Sequence, residues 1–138
     1  MTLPPPPVMD YAADMKPDID YTRQLLEALQ AIPLPDFTVK EIRDSGVDTN
    51  DDRFAFHLMH LQQGGQIRCA APVYKKASGR RYWTSEEIYL TPAGHLLASS
   101  LRTSGVVETV KSKGDIAFDT MVGVATSAAM SWLMKGTA

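Results

Sequence analysis

Cysteine is almost absent from this chain, and that scarcity excludes whole classes of chemistry. Cys69 stands alone among 138 residues, so neither an internal disulfide nor a cysteine-based zinc site is available. It alternates with Ile67, Ala71 and Val73, which points to a buried strand residue rather than a reactive thiol. Also missing are a glycine-rich phosphate loop, an activated-nucleophile motif and an HExxH pair. Ser85–Glu86–Glu87 does place carboxylates side by side, but adjacent strand residues face opposite ways. No catalytic residue is therefore expected, and the chain reads as a non-enzyme. The first residues are proline-rich and acidic rather than basic and then apolar, so no secretory leader is expected and a cytoplasmic protein fits best.

Charge is scarce in two places. None occurs between Asp119 and Lys135, a length near that of a membrane span, but Thr120, Thr126, Ser127 and Ser131 dilute its hydrophobicity. Bases are few in residues 1–52, where eleven acids face four of them, a balance of −7; residues 53–138 balance at +5. Such a split can give a protein one basic face. An apolar fraction of 44% and a charged fraction of 22% are ordinary for a soluble domain, and the length suits one core.

Residues 1–14 read as a disordered proline-rich tail, because Pro4 to Pro7 favour an extended backbone. A first helix is expected from Asp18 to Ile32, burying Thr22, Leu25, Leu26, Leu29 and Ile32. Pro33 and Pro35 interrupt it, and Phe37 to Ile42 reads as a short strand. Asp51 to Ile67 then reads as a short helix capped by Asn50 or Asp51 with Phe54, Leu58 and Leu61 on one face, a Gly64–Gly65 stop and the start of a strand. Strands are expected from Gln66 to Tyr74 and from Arg81 to Leu90, turning at Gly79. Thr91 and Pro92 open another helix, with Leu96, Leu97 and Leu101 inward. Ser104 to Gly114 reads as a polar link, and Asp115 to Met134 as a long helix burying Phe118, Met121, Val122, Ala125, Ala129 and Trp132.

Helix, glycine stop, strand, basic turn and strand is the order of a winged helix-turn-helix. The fold class expected is therefore α+β: a winged helix with a β-hairpin wing and an additional C-terminal helix, as one domain over residues 15–138. Four blocks, MKPDIDYTRQLLEAL, FHLMHLQQGGQI, YLTPAGHLLASSLR and KGDIAFDTMVGVATSAA, together resemble a phage and prophage family catalogued as a domain of unknown function. The resemblance runs from Met15 to about Leu133 and implies a winged-helix fold and a phage origin, with residues 1–14 as an extension. It implies no activity. Phe56, where the family tends to tyrosine, and a longer, more basic wing depart from the pattern.

The sharpest functional expectation is double-stranded DNA. Lys75, Lys76, Arg80 and Arg81 crowd the wing among Tyr74, Tyr82 and Trp83, and bases at a wing tip contact phosphates or the minor groove. Arg53, His57 and His60 offer donors from the helix before it. That helix, however, starts with Asp48, Asp51 and Asp52, which phosphates repel. The alternative is a phage-encoded inhibitor of a host defence or regulatory protein, a nucleic-acid mimic or an anti-CRISPR-like protein, using those carboxylates. Met121, Ala125, Ala129 and Trp132 are the candidate partner-binding residues, for a homodimer through the last helix. His57, His60 and His95 invite a metal, but they read better as packing residues. No metal, cofactor or membrane contact is expected.

Overall fold

The computed structural model describes residues 16–49, 51–69, 74–77, 80–83 and 87–136, with residues 74–77 and 80–83 described by backbone alone. The expected tail, the Asn50 cap, the Gly79 turn, Ala71, Val73 and the Ser85–Glu86 pair lie outside the described residues. Where it is described, the chain is mixed α+β, mostly helical, with short antiparallel strand pairs.

Helix α1, Ile19–Ala31, forms where the periodicity places it. The Asp18 carboxylate caps it, accepting from Tyr21 N–H at 3.0 Å, which satisfies one of the donors a helix start leaves open. Thr22, Leu25, Leu26, Leu29 and Ile32 are all buried. Each buried leucine contributes about 1.5–3 kcal/mol relative to exposure, so this stripe dominates the helix's stability.

The strand expected from Phe37 to Ile42 does not form. Phe37 alone pairs, exchanging both backbone bonds with Ile88 at 2.8 Å. Thr38 then starts helix α2, Val39–Asp44, with a capping box. Its hydroxyl accepts from Glu41 N–H, and the Glu41 carboxylate accepts from Thr38 N–H. Two donors are satisfied at once, and Val39 and Ile42 then fall three apart on one buried helical face.

Helix α3, Asp52–Gln63, is capped by Asp51. It ends as a glycine stop should: Gly65 takes a φ of 81°, Gln66 N–H reaches Leu61 O at 2.9 Å, and Gly65 N–H reaches Gln62 O at 3.2 Å. Strand β1, Ile67–Cys69, follows directly. Strands β2, Tyr74–Ala77, and β3, Arg80–Trp83, form an antiparallel hairpin, and β4, Ile88–Leu90, returns to pair with β1. Cys69 is half-buried and accepts from the Gln62 side-chain amide at 3.1 Å.

Thr91 and Pro92 open α4, Pro92–Arg102, as expected. The Thr91 hydroxyl accepts from Gly94 N–H and donates to Gly65 O, so one side chain ties the end of α3 to the start of α4. Leu97 and Leu101 are buried, but Leu96 is 54% exposed. Leu96 lies one position before Leu97, about 100° round the helix, and faces outward.

The expected polar link of Ser104 to Gly114 contains a helix, α5, Val106–Lys111. Gly105 enters it at φ 84°, and Val106, Val107 and Val110 are buried. Their i, i+1, i+4 spacing was hidden by flanking serine, threonine, lysine and glycine, and by the low helix preference of valine. Helix α6, Phe118–Gly136, packs across α4 and α5, starting three residues later than expected. Among the described residues, no helix is long and apolar enough to cross a membrane. Among the described residues, one hydrophobic cluster joins the six helices with β1 and β4.

Candidate nucleic-acid interface

Backbone pairing alone sets the layout of the β2–β3 hairpin. In the β2–β3 register Lys76 stands across from Arg81, Lys75 from Tyr82, and Ala77 from Arg80. Residues 74–83 hold four bases and no acid, while the rest of the chain holds sixteen acids against ten bases. The side chains of Lys75, Lys76, Arg80 and Arg81 lie outside the described part. What is described is the ribbon that gathers these residues, separate from the β1–β4 pair at its base.

Helix α3 offers far less than its position before the basic hairpin suggests. Phe54 to Leu58 are buried without a break, so the helix has core on nearly all sides. His57 is 1% exposed, and it cannot contact DNA as expected. Its Nδ1–H donates to Arg53 O at 2.7 Å, one turn back, and its Nε2 accepts from Asp18 N–H at 2.9 Å. The backbone donor fixes this tautomer, since Nε2 must keep its lone pair. Burial pushes the His57 imidazole below its ordinary pKa, against opposing contributions from the Arg53 carbonyl bond and the Asp18 charge. His57 is thus a neutral strut between α1 and α3.

His60 is half-buried, edge-on to Phe56 with centroids 4.4 Å apart and stacked on Phe118 at 5.3 Å. Burial lowers its pKa too, although the Asp119 charge opposes this. His95 is on another helix, α4, beside the Gln30 amide at 3.1 Å. Among the described residues no group of three or more histidine, cysteine, aspartate or glutamate side chains could hold a metal ion.

Arg53 is exposed but engaged. Its guanidinium donates to the Asp51 carboxylate at 2.9 and 3.2 Å and lies 5.1 Å from the Tyr21 ring centroid. The hydrogen bonds from Arg53 hold the Asp51 carboxyl below its ordinary range. Desolvation and the Asp51 charge push the Tyr21 hydroxyl up to about 12. A cleft of about 340 Å³ opens between α1 and the α2–α3 turn, lined in part by Tyr21, Asp48, Asp51 and Arg53. Arg53 therefore serves its own aspartate before any phosphate.

Met121, Ala125 and Ala129 are buried in the chain's own core, at 1%, 0% and 5% exposure. They cannot also line a dimer seam. Trp132 differs: it is 49% exposed, and its indole lies over Gly105, where an added Cβ would stand 3.0 Å from Nε1. Met130 and Met134 are exposed on the same helix. A residue overlooked in the sequence is Gln66. It is buried, and its side-chain Oε1 has no hydrogen-bond partner; its place directly after a double glycine was the available signal. Compared with protein-family models, curated proteins and solved structures, the chain matches none, so the four blocks resembling the phage family stand without a family match.

Proposed function

We propose that this chain is a phage-derived winged-helix protein that binds double-stranded DNA without catalysis, chiefly through the basic hairpin. The winged-helix reading is supported by element order: helix, bridging Phe37, two helices, strand, hairpin, strand and helix. The pairing order supports it too, with Phe37 on β4 and β4 on β1. The observation that carries the function is the β2–β3 ribbon, which gathers four bases in a chain otherwise rich in acids. Helix α3 acts as a scaffold, because six of its twelve residues, Phe54 to Leu58 and Leu61, are buried and its start carries Asp51 and Asp52.

Fluorescence anisotropy with mixed-sequence duplex DNA tests this. If all four bases meet phosphates, log K should fall against log salt with a slope of about −3 to −4. That is roughly a hundredfold loss between about 50 and 200 mM salt. The variant Arg80→Ala/Arg81→Ala should lower the slope magnitude by about two. Absence of binding at low salt overturns the proposal.

A second reading is favoured by the carboxylates beside α3. Asp48 and Asp51 line the cleft against Tyr21, with exposed Asp52 next along the chain. On that reading the chain blocks a host nucleic-acid-binding protein by presenting carboxylates in place of phosphates. Its mark would be salt-sensitive binding to such a protein that Asp48→Asn/Asp52→Asn abolishes and the wing variant leaves intact.

A further inference from the structure

A cavity of about 490 Å³ lies between the C-terminal end of α3 and the first turn of α6, lined by His60, Gln63, Gly64 and Gln66 on one side and by Phe118 and Asp119 on the other. Its volume is in the range of small-molecule sites, roughly 300–1,000 Å³. Three chemical features converge on it. The stacked His60–Phe118 pair gives an aromatic wall. Asp119 supplies a carboxylate on an exposed residue. Gln66, 6% exposed, contributes a buried Oε1 with no donor. A buried acceptor left unpaired costs about 1–3 kcal/mol; this oxygen is closed to solvent beside Gly64, so a ligand N–H recovers the missing bond only when the Gln66 side chain turns toward the cavity.

We infer that this cavity binds a guanidinium group, supplied by a small guanidinium compound or by an arginine side chain of a partner. A carboxylate, an orphan amide oxygen and an aromatic face are the three partners this planar cation uses. Its N–H fork matches a carboxylate, its remaining donors suit an amide oxygen, and its plane stacks on rings. An anion is disfavoured by the Asp119 carboxylate. The opposing helix ends, the C-terminus of α3 and the N-terminus of α6, carry partial charges of opposite sign that offset one another. That leaves the Asp119 carboxylate to set the local field. A primary ammonium fits less well, because it lacks a plane to lay on the ring. This inference is independent of DNA binding, since none of its residues lies in the wing.

The test is a titration of the full chain with N-acetyl-arginine methylamide, followed by ¹H–¹⁵N NMR. Saturable shifts are expected at His60, Gln63, Gln66 and Asp119, including both side-chain amides, with Kd on the order of 1 mM. Asp119→Asn should weaken binding about tenfold, a loss of about 1.4 kcal/mol, while leaving the rest of the spectrum in place, because Asp119 is exposed. Butylammonium should bind at least tenfold more weakly. Methylguanidinium and an arginine-containing peptide separate the sources. Equal affinity assigns a small-compound site, and a clear gain for the peptide assigns a partner's arginine. The inference is overturned by the absence of saturable shifts at about ten times that Kd, by equal binding to Asp119→Asn, or by equal binding of butylammonium.

Discussion

Replacing Gly94 by alanine should destabilise this protein, although the general rule for helices predicts the opposite. Within a helix, alanine is favoured over glycine by about 1 kcal/mol. Gly94, however, is in the first turn of α4, where it packs against the backbone carbonyl of Gln66. An added Cβ would stand 2.9 Å from Leu90 Cδ2 and 3.1 Å from the Gln66 carbonyl carbon, and far inside contact distance of its oxygen. Leu90 could rotate away. The carbonyl cannot, because it is backbone and accepts from Thr91 N–H at 3.0 Å. Relieving the overlap means moving the Gln66 peptide or the start of α4. Overpacking of this kind costs typically 1–3 kcal/mol, and the Thr91–Gly94 cap and the Thr91–Gln66 bond would be strained with it, at about 0.5–1.5 kcal/mol each. Set against the alanine preference, the net loss should be about 2–3 kcal/mol. In urea, with m of about 1–3 kcal/mol/M, the midpoint should fall by roughly 1–2 M at unchanged m. Gly123→Ala is the control. An added Cβ there meets nothing within 4 Å, and the position is helical and exposed, so stability should rise by about 0.5–1 kcal/mol. If Gly94→Ala matches or exceeds the parent in urea, the close approach of α4 to Gln66 is wrong.

The buried His57 should make stability fall as acid is added. Its folded pKa lies below the ordinary 6.5, so the unfolded chain takes up the proton first, and stability drops as pH falls below about 6.5. The neighbouring Asp51, also lowered, acts in a separate window, since its ordinary value is 3.8. Urea midpoints at about pH 7.5 and about pH 5.5 should differ for the parent and differ less for His57→Gln; equal pH sensitivity in both would refute the assignment. Ala125→Trp should unfold or strongly destabilise the chain, by about 3 kcal/mol or more, because Ala125 is 0% exposed. Light scattering and circular dichroism check it together: a well-folded variant with a changed oligomeric state would restore Ala125 to a subunit seam.

Helices with strong end signals were legible from the residues alone. The helix start near Asp18, the Thr91 cap, the Gly64–Gly65 stop and the leucine stripe of α1 act through contacts within a few positions, which a sequence displays directly. Helix α2 was missed because valine and isoleucine beside phenylalanine read as a strand, while the deciding signal, the reciprocal pair of Thr38 and Glu41, occupies one turn. Helix α5 is too short to show a period, and tertiary burial of Val106, Val107 and Val110 holds it. The basic character of the β2–β3 hairpin could be read from composition, but the burial of His57 could not, because its partner donor belongs to Asp18, 39 residues away. The cavity at Gln66 was likewise invisible, since it joins residues 60–66 to residues 117–122 only through the fold.

The β1–β4 ladder makes the hairpin above it a separable cassette. Ile67 stands opposite Leu90 and Cys69 opposite Ile88, while Phe37 secures β4 from its other edge. The root of the loop is therefore closed by the body, whatever the loop contains. Lengthening a loop costs only about 0.6 kcal/mol per doubling once its ends are held. Residues between Cys69 and Ile88 could thus be exchanged for other sequences, with the helical body serving as a mount on which lineages or engineers vary the tip.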